Sequence, residues 1–298
     1  MGIDRFYCGE KVVGRWNKNI YEVIDLLGTG GIARVYKVRD QSGHIWALKV
    51  SEDIHSITKE YKKLEKFKSS GWSPFVRELD DYVRGNVKVH FIVMEYIDGV
   101  NLKEYVDQNT ISINCIVGVA VIIGKCFNTL HEEGLVFGDL KLENIMVDKI
   151  NSKIKMIDLG GVTQMGVSIK EFTPLYDRAS FNMGLRRADE NYDLFSLSML
   201  IVVLILRKKK MNVVYNVDKL VRILKDINIS DEFVKVIHKG LMQKEKTFVS
   251  FLDKLEKIYQ NDDYNYGKKS FDKLEVAING VLVGSVMLFC GVVYKCFF

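Results

Sequence analysis

The sequence predicts an α+β fold: a small antiparallel sheet with one helix, a larger mainly helical part, and then a separate apolar segment. Three patterns carry that reading. Runs of period-two alternation lie between Tyr21 and Met94. Helical patterns, some amphipathic and some apolar throughout, lie between Ile113 and Tyr259. Val276–Tyr294 holds nineteen residues without a charge.

Tyr21–Leu27 alternates and ends in the turn GTGG; Ala33–Asp40 and His44–Val50 complete a three-strand meander. Gly28, Gly30 and Gly31 let the first hairpin bring backbone amides close to phosphate oxygens, although such a hairpin is often only a turn. Ile57–Phe67 has Ile57, Tyr61, Leu64 and Phe67 on one face of a helix, and Glu60 lies near that side, placed to pair with Lys49. Ser73-Pro74 breaks the helix, and strands follow near Phe75–Val83 and Val87–Met94. MEYIDG then leads out of the sheet. The backbone groups of Glu95 and Tyr96 are candidates to bind an adenine edge, with Met94 behind.

Ile113–His131 and Leu197–Leu206 are too interrupted or too short to span a bilayer and read as buried helices. Further helices are predicted over Val217–Ile227, Asp231–Met242 and Phe248–Tyr259. A composition of 48% hydrophobic and 27% charged residues in 298 is that of a globular chain with a real core. The net charge of +5 fits an anionic substrate or membrane surface and does not by itself argue for nucleic acid. Five cysteines form no CxxC or Cys/His cluster, so neither a zinc site nor a disulfide framework is indicated, and a reducing setting fits. Met1–Asn19 is polar and charged, unlike a signal peptide.

The chemistry concentrates in Val136–Gly160. Asp139, Lys141 and Asn144 fall within six residues, and Asp158 follows the apolar run Ile154–Ile157. One carboxylate to orient a hydroxyl, a lysine to neutralise phosphate, and an amide and a second carboxylate to hold a metal are the parts phosphoryl transfer needs.

In this order the motifs resemble those of the protein kinases, and specifically the bacterial eukaryotic-type Ser/Thr kinases, over roughly Ile20–Tyr259. The resemblance implies a bilobal fold, with ATP and Mg²⁺ or Mn²⁺ as cofactors and protein Ser/Thr hydroxyls as acceptors. It implies that Asp139 is the base, Lys141 the lysine beside the transferred phosphate, and Asn144 and Asp158 the metal ligands. Lys49 would pair with the α- and β-phosphates. Val35 and Ala47 would form the roof of the adenine pocket and Met146 its floor, though each is more often plain core than ligand contact. Thr173, in Thr173-Pro174-Leu175-Tyr176, resembles the segment that receives the substrate hydroxyl. Asp193 opens the central helix and would brace the catalytic loop.

The sequence departs from the family pattern in four places. The third loop glycine is Ala33. F-G-D stands for H-R-D, so Gly138 replaces an arginine, which implies activity that does not await an activation-loop phosphate. Arg178-Ala179-Ser180 stands for A-P-E, and the usual arginine partner of that glutamate is missing too. Loss of both members of a buried ion pair is milder than orphaning one. G-D-L also occurs in small-molecule phosphotransferases, which lack the lysine two residues on and the T-P-x-Y segment. A pseudokinase or scaffold would be expected to have lost Lys49, Asp139, Asn144 or Asp158.

Val276–Tyr294 spans about 28 Å as a helix, the thickness of a bilayer core. Lys268, Lys269 and Lys273 precede it and Lys295 follows, which predicts a single-pass cell-membrane protein with its kinase domain in the cytoplasm and no external sensor domain. Gly280 and Gly284 form a GxxxG spacing suited to a homodimer, and with it autophosphorylation at Thr163, Ser168 or Thr173. Arg207, Lys208, Lys209 and Lys210 read as a solvated helix end, as a contact to membrane lipid, or, less well, as a site of nucleic-acid regulation. The predicted division is residues 1–96, with an extension over 1–19, then 97–259, a polar tether over 260–273 and a transmembrane helix over 274–295.

Overall fold

The computed structural model describes residues 5–85, 87–148, 153–206, 216–227 and 229–261. The basic run Arg207–Lys210, the tether beyond Asn261 and the segment Val276–Tyr294 with Gly280 and Gly284 lie outside the described residues. The chain forms two compact units: Met1–Asp98 with Lys155–Gly160, and Gly99–Ile154 with Gly161–Phe298.

The first unit is a six-stranded sheet in the order β1-β2-β3-β4-β6-β5. Its strands are β1 (Lys11–Val13), β2 (Ile20–Thr29), β3 (Ala33–Asp40), β4 (Ile45–Ser51), β5 (Val76–Arg84) and β6 (Val87–Glu95). Alternation decides the faces: Tyr36, Val38, Leu48, Val50, Val89, Phe91 and Val93 enter one buried core. Helix α1 (Ile54–Phe67) buries Ile57, Glu60, Leu64 and Phe67. It begins earlier than its hydrophobic period shows, because Asp53 accepts the backbone N–H groups of His55 and Ser56 and so caps it.

Residues 5–19, read from sequence as an extension, are part of this sheet. Phe6 is buried in its core. Beyond β1 the chain crosses to the opposite edge, where the Arg15 amide donates to the Asp81 carbonyl of β5 at 2.8 Å. Both sheet edges therefore end on the same strap. Buried carboxylates hold it there: Asp80 accepts the amides of Trp16 (2.9 Å) and Asn17 (2.8 Å). Glu78 accepts the side-chain amides of Asn17 and Asn19 and the Tyr21 hydroxyl. Asp81 takes the Trp16 indole N–H at 3.0 Å, Lys88 at 2.9 Å and His90 Nδ1 at 2.6 Å.

The second unit is mainly helical. Its helices are α2 (Leu102–Gln108), α3 (Ile113–Glu132), α4 (Glu190–Leu206), α5 (Val217–Lys225), α6 (Asp231–Leu241) and α7 (Phe248–Gln260). Among the described residues α3 is the one helix long and apolar enough to cross a membrane, and 72% of its apolar window is buried inside the protein. Both α3 and α4 are apolar nearly all round because other helices surround them. Gly124 allows the crossing: a Cβ there would lie 2.8 Å from Leu252 and 3.2 Å from Leu197. Short strands β7 (Gly99–Asn101) and β9 (Ile145–Asp148) pair in this unit, as do β8 (Leu135–Val136) and β11 (Thr163–Gln164). β10 (Lys153–Met156) follows β9.

The strap has a titratable anchor. Burial alone would raise the Asp81 carboxyl, but donation from Lys88, Trp16 and His90 outweighs it and holds the group down at about 2. A depressed carboxylate confers stability that is whole above its unfolded value of about 3.9 and is lost as pH falls through the folded one. Urea midpoints of wild type and Asp81→Asn should therefore differ at pH 6 and converge as the pH drops from about 4 toward 2.

Candidate active site

In the first unit, strand register assembles a polar and apolar set on one face. Val35 lies opposite Lys49 on the neighbouring strand, and Ala47, two residues from Lys49, lies opposite Met94. Val35, Ala47, Lys49 and Met94 thus share a face, the one opposite the core residues Leu48 and Val50. Lys49 reaches the two carboxylate oxygens of Glu60 at 2.7 and 2.6 Å, and Asp158 Oδ1 at 3.5 Å. Burial opposes the charge on Lys49, but the two carboxylates overcome it and hold the ammonium well above its usual range. Glu60 is only 3% exposed, and burial drives its carboxyl upward against the pull of Lys49. The pair is therefore tightly coupled, and Lys49 remains a cation throughout the working range.

Gly28 pairs with Val35 near the end of β2, and the Gly30 amide donates to the Ala33 carbonyl at 2.8 Å, so the turn is tight. At Gly28 and Gly31 nothing among the described residues comes within 4 Å of where a Cβ would stand. That open space lies along exposed backbone. The Glu95 amide donates to the Phe75 carbonyl, and its carboxylate holds Lys155. Tyr96 is half-buried, with the Lys37 ammonium 4.4 Å from its ring centroid. Asp158 also accepts the Gly160 amide at 2.9 Å.

In the second unit, fully buried Asp193 at the start of α4 organises the loop. It accepts the amides of Phe137 (2.8 Å) and Gly138 (3.2 Å) and faces His131 Nε2 at 2.9 Å. A carboxylate only accepts, so Nε2 carries the imidazole proton. Sequence reading passed over His131, a buried residue in the last turn of an otherwise apolar helix. The Asp139 amide donates back to the Phe137 carbonyl at 3.0 Å, closing a three-residue turn across Gly138, whose φ is 80°. A Cβ at Gly138 would stand 2.9 Å from the Gly161 carbonyl oxygen, and one at Gly161 would stand 2.8 Å from Asp139 Cβ. Backbone geometry thus demands glycine where the family places arginine.

That turn presents Asp139. Its Oδ1 accepts the Thr173 hydroxyl at 2.8 Å and its Oδ2 the Lys141 ammonium at 2.9 Å. Asn144, buried in the 3₁₀ turn Leu142–Asn144, directs its amide nitrogen to the Asp139 carbonyl at 3.5 Å. Met146 is half-buried in β9 opposite Asn101. Thr173 precedes a second 3₁₀ turn, Pro174–Tyr176.

The ion pair expected to be missing after this segment is replaced rather than lost. Arg178, nearly buried, forks onto both Asp189 oxygens at 2.7 Å and also reaches Gln243 at 2.9 Å. Its neighbour Asp177 is paired with Arg186. Family spacing gave no sign of either pair, because the cation stands two positions before the lost glutamate.

Residues 21–262 match the family described as the protein kinase domain. The chain is 38% identical over 199 residues to the serine/threonine-protein kinase YabT of Bacillus subtilis (strain 168), covering 65% of this chain and 58% of YabT. It is 34% identical over 159 residues to a probable serine/threonine-protein kinase of Clostridium acetobutylicum, covering 50% of this chain and 23% of that protein. A probable serine/threonine-protein kinase of Clostridium perfringens is 23% identical over 283 residues, covering 87% of this chain and 41% of its own length. The chain thus spans little more than half of YabT and less of the other two.

Gly138→Ala should cost about 1–3 kcal/mol through the positive φ and the contact with Gly161. The urea midpoint measures that loss, and Gly138→Arg should lose at least as much.

Proposed function

The chain belongs to the protein kinase family, and on that premise we propose that it is a Ser/Thr protein kinase moving the γ-phosphoryl group of ATP to protein hydroxyls. One observation carries the reading: a threonine hydroxyl already donates to Asp139 at 2.8 Å, with Lys141 against the other carboxylate oxygen. A substrate hydroxyl held in that way hands its proton to Asp139 as its oxygen bonds to phosphorus and the bond to the ADP oxygen breaks. Lys141 supplies positive charge where the phosphoryl group departs and arrives. Thr173 shapes the acceptor's approach.

In the first unit, the face bearing Val35, Ala47 and Lys49 suits a nucleotide. Lys49 meets phosphate oxygens and Glu60 fixes Lys49. Amides of the Gly28–Gly31 turn line a space that any Cβ would narrow, and Glu95 and Tyr96 offer backbone groups to the base. Met146 is the proposed counterpart of the family's adenine-pocket floor residue. Asp158 is the proposed carboxylate ligand of a divalent cation and Asn144 the proposed amide ligand. Oxygen donors fit Mg²⁺ or Mn²⁺, which usually takes one or two protein ligands beside phosphate. Among the described residues no cluster of three or more His, Cys, Asp or Glu offers a different metal site. When bound, such a cation neutralises phosphate charge.

Val276–Tyr294 is proposed to anchor the domain to the cell membrane as a single span, with Gly280 and Gly284 pairing two copies for autophosphorylation. Among the alternatives from sequence, a pseudokinase is disfavoured by the intact Lys49–Glu60 pair and the occupied Asp139 carboxylate.

With labelled ATP and Mg²⁺ or Mn²⁺, wild type should label itself or a generic acceptor protein. Asp139→Asn should fall about 10²–10⁴-fold, the usual worth of a general base. No label in wild type would sink the proposal. The full chain should also stay with membranes through a high-salt wash that strips peripheral proteins, and release into the soluble fraction would refute the anchor.

A further inference from the structure

Helix α1 carries four lysines. Lys59, Lys62 and Lys66 are exposed, whereas Lys63 is half-buried. Lys63 stands three residues after Glu60, one turn along the same side of the helix. Its ammonium donates to two consecutive backbone carbonyls, Leu159 at 3.0 Å and Gly160 at 2.8 Å. Those residues directly follow Asp158, whose Oδ1 accepts the Gly160 amide and lies 3.5 Å from Lys49. The Leu159 side chain is fully buried. The contacts form a ring: Lys49 to Glu60, along one helical turn to Lys63, across to Leu159 and Gly160, and through Asp158 back to Lys49.

We propose that Lys63 is a positioning residue that locks the turn bearing Asp158 to helix α1, so that Glu60, Lys49 and Asp158 are set together by contacts internal to the chain. This rests on the reading of Asp158 as a metal ligand. Two carbonyls converging on one cation fix the direction of two successive peptide planes, which a single hydrogen bond does not. Remove the cation and both carbonyls lose their charged donor, while the Lys49–Glu60 pair stays whole. The turn is then free to carry the Asp158 oxygens away from Lys49 without disturbing the sheet. A residue whose work was only to stabilise the fold would affect melting, and would leave the response to metal alone.

The test is calorimetric binding of ADP to the full chain with and without Mn²⁺, which needs no turnover. The readout is the factor by which Mn²⁺ tightens ADP. Lys63→Met and Lys63→Gln should each reduce that factor about tenfold, with ADP affinity in the absence of metal within twofold of wild type. Asp158→Asn is the reference for loss of the ligand itself. If Asp158→Asn abolishes the Mn²⁺ factor and both Lys63 variants keep the wild-type value, Lys63 does not position Asp158. If Asp158→Asn also keeps it, the metal-ligand assignment falls and takes the Lys63 proposal with it. Lower melting temperatures for the Lys63 variants with an unchanged Mn²⁺ factor also overturn the proposal, leaving a structural role.

Discussion

A buried carboxylate with no exposure to solvent must find donors inside the protein or not be charged at all. Asp193 finds them in the amides of Phe137 and Gly138 and in His131. Those same amides belong to the turn that presents Asp139. The requirement of one buried charge thus fixes the path of the backbone two residues before the proposed base. Glycine follows from it. A chain that bends this tightly against Gly161 would crowd a Cβ at Gly138, and its positive φ is one that residues with a side chain rarely adopt.

The first unit meets a similar demand differently. Its buried acids are answered by side chains and backbone amides from other segments of the chain. Glu60 is held by Lys49, and Glu78, Asp80 and Asp81 by residues 15–21 and by Lys88 and His90. In the second unit, Arg178 with Asp189 follows the same rule with the charges reversed from the family's habit. An ion pair of this kind is retained in function while its members change position. Burial requires compensation and is indifferent to which residue supplies it.

Local spacing explains what the sequence disclosed. Asp139, Lys141 and Asn144 lie within one loop, so their order alone carries the chemistry. The strand and helix periods between Tyr21 and Gln260 follow from one-sided burial, which leaves a mark at every second or every third to fourth residue. The strap, Lys63 and Arg178 left no such mark. Trp16 meets Asp80 across 64 residues, Lys63 meets Leu159 across 96, and Arg178 meets Gln243 across 65. β1 is three residues long, too short for alternation to distinguish it from polar coil. Glu60 was visible only because it sits on the apolar side of its helix, where an unpaired charge would be costly. Lys63, one turn further on, looked like any surface lysine.

The strap also sets an order of events in synthesis. Residues 5–19 leave the ribosome before their carboxylate partners Glu78, Asp80 and Asp81, which come some sixty residues later. At about 5–20 residues per second, the segment waits several seconds with its hydrogen bonds to Asp80 and Asp81 unmade. β2 to β4 can form a meander in that interval, but the edge that receives the strap is absent until β5 and β6 have both emerged. The seam at Arg15 and Asp81 therefore forms after the meander, and Lys155–Gly160 joins the first unit later still.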